Sequence, residues 1–331
     1  MIHLQSHWPF IQTQSAYARG VTIGWITLII GVLAGSTFSA FAKQLGSALS
    51  PLSILFVGET MMLLFTLFSF GSIRLVEESR RLEHAHIIPL LMIGLLATLG
   101  LILLFTGMHS TSATNAELFG RAETVFLVTL AILILHERLT QLHVVGGFLI
   151  LLGIIVVTLR GLTEGLSPKT GDFLIMWGAL CFATVSIILK KYLANVPPEL
   201  LLFTRSAMAI LIFFLFSPFI EYRFIEEIRS IPLHLLIPLL GFGFLSRFIA
   251  TLGIYQAIKR LPITTISFFM PVTMVLAILF ANFYLGEPLL PYHFAGGGLI
   301  LCGIFLTRTN GVHATEEQVV TIVKQHHRHH F

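Results

Sequence analysis

Three charged side chains interrupt a stretch that is otherwise apolar enough to cross a bilayer. They are Glu117, Arg121 and Glu123, within residues 113–135, ATNAELFGRAETVFLVTLAILIL. A charge at the centre of a spanning helix costs about 2.5–3.5 kcal/mol, so each needs a partner or a purpose. On a helix Thr114, Glu117, Arg121 and Thr124 share one stripe. Glu117 and Arg121 form an i,i+4 pair that partly neutralises itself. Glu123 points away from that stripe and must find another neighbour. The chemistry on offer is recognition. An arginine fork binds two oxygens of a carboxylate or phosphate at once. A carboxylate takes an ammonium group or carries a proton. Arg247 and Glu59 lie near the middle of two other apolar runs and widen the set. Together these groups suit a zwitterion such as an amino acid. The competing reading is a buried ion-pair network, Glu123 or Glu59 with Arg247, that only fixes helix register.

Other candidates are weaker. Trp177 and Phe269 can wall a cavity, although packing or lipid-facing aromatics are commoner. Ser36, Thr37, Ser39, Thr184 and Ser186 can meet a substrate, but such hydroxyls more often bond to their own helix. Pro271 frees a backbone carbonyl and kinks its helix, a candidate hinge. Glu137, Glu287, His143 and His293 sit at helix junctions and read as caps or anchors.

These residues need elements to hold them. The chain has 331 residues, 56% hydrophobic and 11% charged, against about 25% charged in soluble domains. Lipid is therefore its solvent. The net charge of +4 is small and is no nucleic-acid footprint. Cys181 and Cys302 lie in apolar runs without metal-ligand spacing, and both read as small core residues. No cofactor motif is present. Ten apolar runs are expected to span: 24–41, 53–70, 87–107, 113–135, 143–159, 172–189, 200–219, 233–255, 264–285 and 292–307. With the N-terminus in the cytoplasm, the inner loops and tail hold 12 Lys and Arg and the outer loops 5. The positive-inside rule then puts both termini in the cytoplasm. Ala40-Phe41-Ala42 resembles a signal-peptidase site, but the first run has an internal counterpart that cannot be cleaved away.

That counterpart belongs to a repeat. Residues 135–161 set against 285–311 match at 12 of 27 positions. The matches include Glu137/Glu287, His143/His293, Gly146/Gly296 and Gly153/Gly303. Upstream, Gly31/Gly178, Thr37/Thr184, Lys43/Lys190, Pro51/Pro198, Pro89/Pro238 and Gly94/Gly243 pair the remaining runs. One unit of five helices is used twice. Five is odd, so the second copy enters from the opposite side. The expected fold is an all-α integral membrane protein of ten transmembrane helices in two inverted five-helix repeats, residues 21–160 and 161–307. A segment 1–20 precedes them and a His-rich tail 308–331 follows, both cytoplasmic. Glycines on the fifth and tenth helices predict a close, static seam.

The junctions LILHERLTQLHVVGGFLILLGI and FYLGEPLLPYHFAGGGLILCGI, with Met270-Pro271 and Arg205, resemble the EamA-type family of the drug/metabolite transporter superfamily. The resemblance implies a central cavity lined by helices 1, 3, 4, 6, 8 and 9, with 5 and 10 peripheral. Two positions depart from the pattern. Arg121 stands where the second copy has Pro271, and Gly58-Glu59 where it has Arg205-Ser206.

The expected function is a secondary transporter of a small polar or zwitterionic metabolite. It would work by alternating access, as an exporter coupled to protons or to a counter-solute, in a bacterial inner membrane. The substrate-binding candidates are Arg121, Glu123, Glu117, Arg247, Glu59, Trp177 and Phe269, with Pro271 as hinge. A non-transporting receptor or assembly protein is the alternative. An intramembrane enzyme lacks the nucleophile, base or metal set it needs. Nothing in the sequence sets the oligomeric state.

Overall fold

A computed structural model describes residues 8–111, 119–159, 169–216 and 224–307, and every regular element among them is a helix. In chain order these are α1 Trp8–Gly35, α2 Phe38–Leu45, α3 Pro51–Phe70, α4 Ser72–Arg80 and α5 His84–His109. Then come α6 Ala122–Leu135, α7 Gln141–Thr158, α8 Thr170–Tyr192, α9 Pro198–Phe216 and α10 Phe224–Arg229. The last three are α11 Leu233–Arg260, α12 Ile263–Leu285 and α13 Pro291–Thr307. Among the described residues, seven spans are long and apolar enough to cross a membrane, the first running through α1 and α2, and α6, α7 and α13 are shorter apolar helices. The chain is an all-α multi-pass membrane protein.

The expected first span is not one helix. Ser36 Oγ and Thr37 Oγ1 donate to the carbonyls of Leu33 and Ala34, each at 2.7 Å. They compete there with the helical ladder, and α1 gives way to α2. Elsewhere the punctuation is local. Pro51 opens α3, and Thr140 and His143 close a reciprocal cap at the start of α7.

The halves exchange partners. α1 packs along α11, and α8 along α5. A Cβ on Gly31 would stand 3.2 Å from the Ala250 carbonyl, and one on Gly178 2.9 Å from the Gly100 carbonyl. The paired fifth helices meet through the same residues. A Cβ on Gly146 would lie 2.6 Å from the Gly303 carbonyl, and one on Gly153 2.6 Å from that of Gly296. Only glycine admits this approach.

The register of the repeat slips inside α11. Gly94 and Gly243, 149 apart, receive Met208 and Met61 in the same way, whereas Gly100 and Ala250, 150 apart, take equivalent places against α8 and α1. Between them α11 widens into a π-helix over Phe242–Ile249. A π-turn holds one residue more per hydrogen-bonded ring than an α-turn, so the extra residue is absorbed there, next to Arg247.

The main core gathers Leu28, Met62, Ile93, Leu127, Leu189 and Ile266 from both halves. Phe68 and Phe283 are almost fully exposed on the apolar outside. Cys302 is exposed as well, not the core residue expected, because its side of α13 faces away from the seam; Cys181 is half-buried.

Outside the spans, Glu227 of α10 caps α3. It accepts from the Ser50 amide at 2.9 Å and the Ser53 hydroxyl at 2.6 Å. Partial burial acts to raise its pKa, but these hydrogen bonds outweigh it and hold the carboxyl below its usual range. The folded pKa is thus depressed. The cap's contribution is complete above the unfolded pKa of about 4.3 and is lost as pH falls through the folded value. Thermal melts in detergent should show acid destabilisation that is shallower in Glu227→Gln. At the seam, Gly153→Val should cost about 1–3 kcal/mol by overpacking. Gly298→Ala, where a Cβ meets open space, should leave the same melt unchanged.

Candidate functional site

Among the described residues of the charged stretch, the helix is broken at Arg121. Residues 119–120 are helical, Arg121 turns, and α6 starts at Ala122. α12 breaks in the same place, at Met270–Pro271, and resumes at Val272. Arg121 (φ −71°, ψ −9°) and Pro271 (φ −60°, ψ −16°) share a conformation. Their carbonyls accept short i+3 bonds from Thr124 and Met274, at 3.1 and 3.0 Å. Proline dictates the break in one copy, and an arginine occupies it in the other.

Arg121 lines a cavity of about 550 Å³. Its walls come from the α1–α2 break, α12 and the start of α13, with Ser39, Lys43, Ala277, Glu287 and His293 among them. Lys43 Nζ donates to Glu287 Oε1 at 2.5 Å across the rim. Glu123, the second residue of α6, is half-buried, and Arg121 is the charge that acts on it.

A second group lies in α3, α9 and α11. Glu59 is 1% exposed, and Arg205 and Arg247 are buried beside it. Arg247 Nη2 donates to Glu59 Oε1. Arg205 Nη2 approaches the same oxygen at 3.5 Å, and its Nη1 donates to Tyr255 Oη at 3.3 Å. Local sequence makes the arrangement possible. A Cβ on Gly58 would lie 3.3 Å from Arg247 Nε and 2.9 Å from the Phe242 ring. The π-helical stretch carries Arg247, and its neighbour Ser246 lies 2.7 Å from the Thr37 hydroxyl at the α1–α2 break. Two guanidiniums share one carboxylate, so the cluster is one charge in excess. Glu59 Oε2, Arg205 Nε and the Ser206 hydroxyl are buried there without a hydrogen-bond partner among the described residues.

The candidates thus fall into two groups, Arg121 with Glu123 and Glu59 with Arg247. Arg205, noted in the sequence only as a family position, joins the second. Lys43 and Glu287 join the first; their pairing with Lys190 and Glu137 in the repeat was the signal that marks them. Glu117 lies outside the described residues. Trp177 is 59% exposed. Phe269 meets Trp25 edge-on at 5.6 Å between ring centres. The cavity lining includes neither Trp177 nor Phe269. The hydroxyls of Ser36, Thr184 and Ser186 bond to their own helices.

Comparison with known proteins finds the EamA-like transporter family profile twice, over residues 22–159 and 169–309. An uncharacterized transporter of Methanothermobacter thermautotrophicus is 26% identical over 90% of this chain and 89% of its own. The uncharacterized transporter YyaM of Bacillus subtilis is 23% identical over 82% and 89%. One solved crystal structure matches with a TM-score of 0.72 at 18% identity, covering 90% of this chain and 99% of that one. The last is a likeness of fold.

Removing one partner of a buried ion pair leaves an uncompensated charge and costs about 3–5 kcal/mol. Glu59→Ala should accordingly lower the melting temperature far more than Glu123→Ala, on whose carboxylate Arg121 is the one cation acting among the described residues. Thermal unfolding of the two variants side by side checks this.

Proposed function

Since the chain belongs to the EamA-like transporter family, and is a multi-pass membrane transporter and not an enzyme, we propose that it is a secondary transporter moving a small zwitterionic, amino-acid-like metabolite by alternating access. The observation that carries the reading is Arg121 in the wall of a cavity of about 550 Å³ where the two halves meet. That volume suits a small metabolite. Arg121 takes the substrate carboxylate. Glu123, on the same helix start, takes the ammonium group or a coupling proton. Pro271 is the matching hinge. Glu59, Arg205 and Arg247 act as a sealed network holding α3, α9 and α11 in register. Nothing nucleotide-binding is legible in the sequence, so a proton gradient or a counter-solute drives the cycle, in the direction of export. The loop charges support an inner membrane location with both termini in the cytoplasm.

The test is flux in proteoliposomes across a panel of amino acids and related metabolites, with and without a pH gradient. A transported compound should raise the melting temperature of the protein. Arg121→Ala removes a charge-assisted contact of about 1.5–3 kcal/mol, which is roughly tenfold to a hundredfold in apparent affinity. Full flux by the Arg121→Ala, Glu123→Ala double variant would overturn the assignment. Silence across the whole panel would count against the substrate class.

A further inference from the structure

The buried cluster of α3, α9 and α11 carries more positive charge than it pairs. Glu59 is the one carboxylate that acts on Arg205 and on Arg247 among the described residues. Glu59, Arg205 and Arg247 are 1%, 7% and 8% exposed. One positive charge is therefore left over inside the apolar part of the chain. Buried charges are held only where a partner offsets the loss of water. Arg247 is in close contact with Glu59. Arg205 is the cation left over. Its Nη1 and Nη2 reach Tyr255 Oη and Glu59 Oε1 at 3.3 and 3.5 Å, beyond the usual range of about 2.7–3.2 Å.

Unmet polar atoms collect at the same level. Arg205 Nε, the Ser206 and Thr60 hydroxyls and Glu59 Oε2 are buried there without a hydrogen-bond partner among the described residues. Each such group in a folded protein calls for an explanation. Arg205 Nε can only donate, and a hydroxyl can donate as well as accept. The four atoms come from two adjacent positions of α3 and two of α9. These positions are counterparts in the repeat. The shift that pairs Pro51 with Pro198 also sets Gly58 against Arg205 and Glu59 against Ser206. α3 packs along α9, so equivalent segments of the two halves meet here, and both bring unmet polar groups to the contact.

We infer that this cluster is a binding site for one small monovalent anion, a chloride or a carboxylate, held by the Arg205 guanidinium and the Ser206 hydroxyl. One negative charge brings the cluster to balance, and a divalent anion would overshoot it. A guanidinium and a hydroxyl together give an anion charge-assisted hydrogen bonds. The site is distinct from the cavity, whose lining includes none of Glu59, Arg205, Ser206 and Arg247. The anion leaves the network sealed and its helices in register, and it does not depend on which solute is carried.

Anion titration tests this on purified protein in detergent, prepared in gluconate, which is too bulky for a closed site. Gluconate is then exchanged for chloride or formate at constant ionic strength. A ligand of the native state raises the melting temperature, and the parent should gain about 2 °C or more for each tenfold rise in anion above half-saturation. Arg205→Gln removes the surplus charge and should abolish the gain. Arg205→Lys keeps the charge and should retain it. Arg121→Ala, in the cavity wall, should retain it too. Ion chromatography gives a second reading. Parent protein prepared in chloride and desalted should release one chloride per chain when denatured, and Arg205→Gln none. If Arg205→Gln does not fold, Ser206→Ala is titrated instead and should need about tenfold more anion. A gain with chloride, with formate or with both supports the site and names its ligand. Equal melting in all three salts with no chloride released would overturn it. A gain that survives Arg205→Gln, or that is lost in Arg121→Ala, would place the anion elsewhere and overturn it as well.

Discussion

Apolar side chains gain little by leaving lipid for another helix, so helices in a bilayer are held by close contact. In this chain the closest contacts are glycine against backbone, and they join one half to the other. α1 meets α11 at Gly31, α8 meets α5 at Gly178, and α7 meets α13 at Gly146 and Gly153. Each contact has its counterpart with the halves exchanged. The set forms a frame in which backbones interlock and little can slide. α6 and α12 stand outside it: neither contains a glycine. They rest on side-chain packing and on polar contacts at their ends; α6 starts at the Arg121 turn, and α12 is interrupted at Met270–Pro271.

The frame also explains where the buried charges lie. Glu59, Arg205 and Arg247 sit on α3, α9 and α11. A desolvated ion pair is weak evidence for stability, but it is specific about geometry. Here it needs two local exceptions, the missing side chain at Gly58 and the widened turn of α11. Both serve to bring Arg247 to Glu59. The first half has a glycine where the second has Arg205, so the departure from symmetry is itself part of the fit.

Much of this architecture was legible. The repeat showed in paired glycines, histidines and glutamates that apolar composition alone would not align, and the close seam followed from glycine spacing. Pro271 marked one break, but its twin at Arg121 carried no breaker and had to be inferred by alignment. What stayed hidden depends on helix rotation. A soluble helix reveals its inner face by polarity on the other. α5, α6 and α7 are apolar all round, so no pattern said which side faced protein. Cys302, on α13, reads as core and lies exposed. The π-turn in α11 was visible only as a one-residue drift of the repeat, whose position helical periodicity could not place.

The two glutamate junctions carry the argument one step further. Sequence and backbone agree between them, down to the left-handed residue and the back-bonded amide. Glu137 clamps the start of α12, and Glu287 meets Lys43 among the described residues. The positive φ at His136, where the second copy has Gly286, shows the first junction keeping its turn although glycine is absent. Non-glycine residues pay about 1–2 kcal/mol for that conformation. The α6 junction is thus held by its surroundings, the bonds from the Ile263 and Thr264 amides to Glu137 among them.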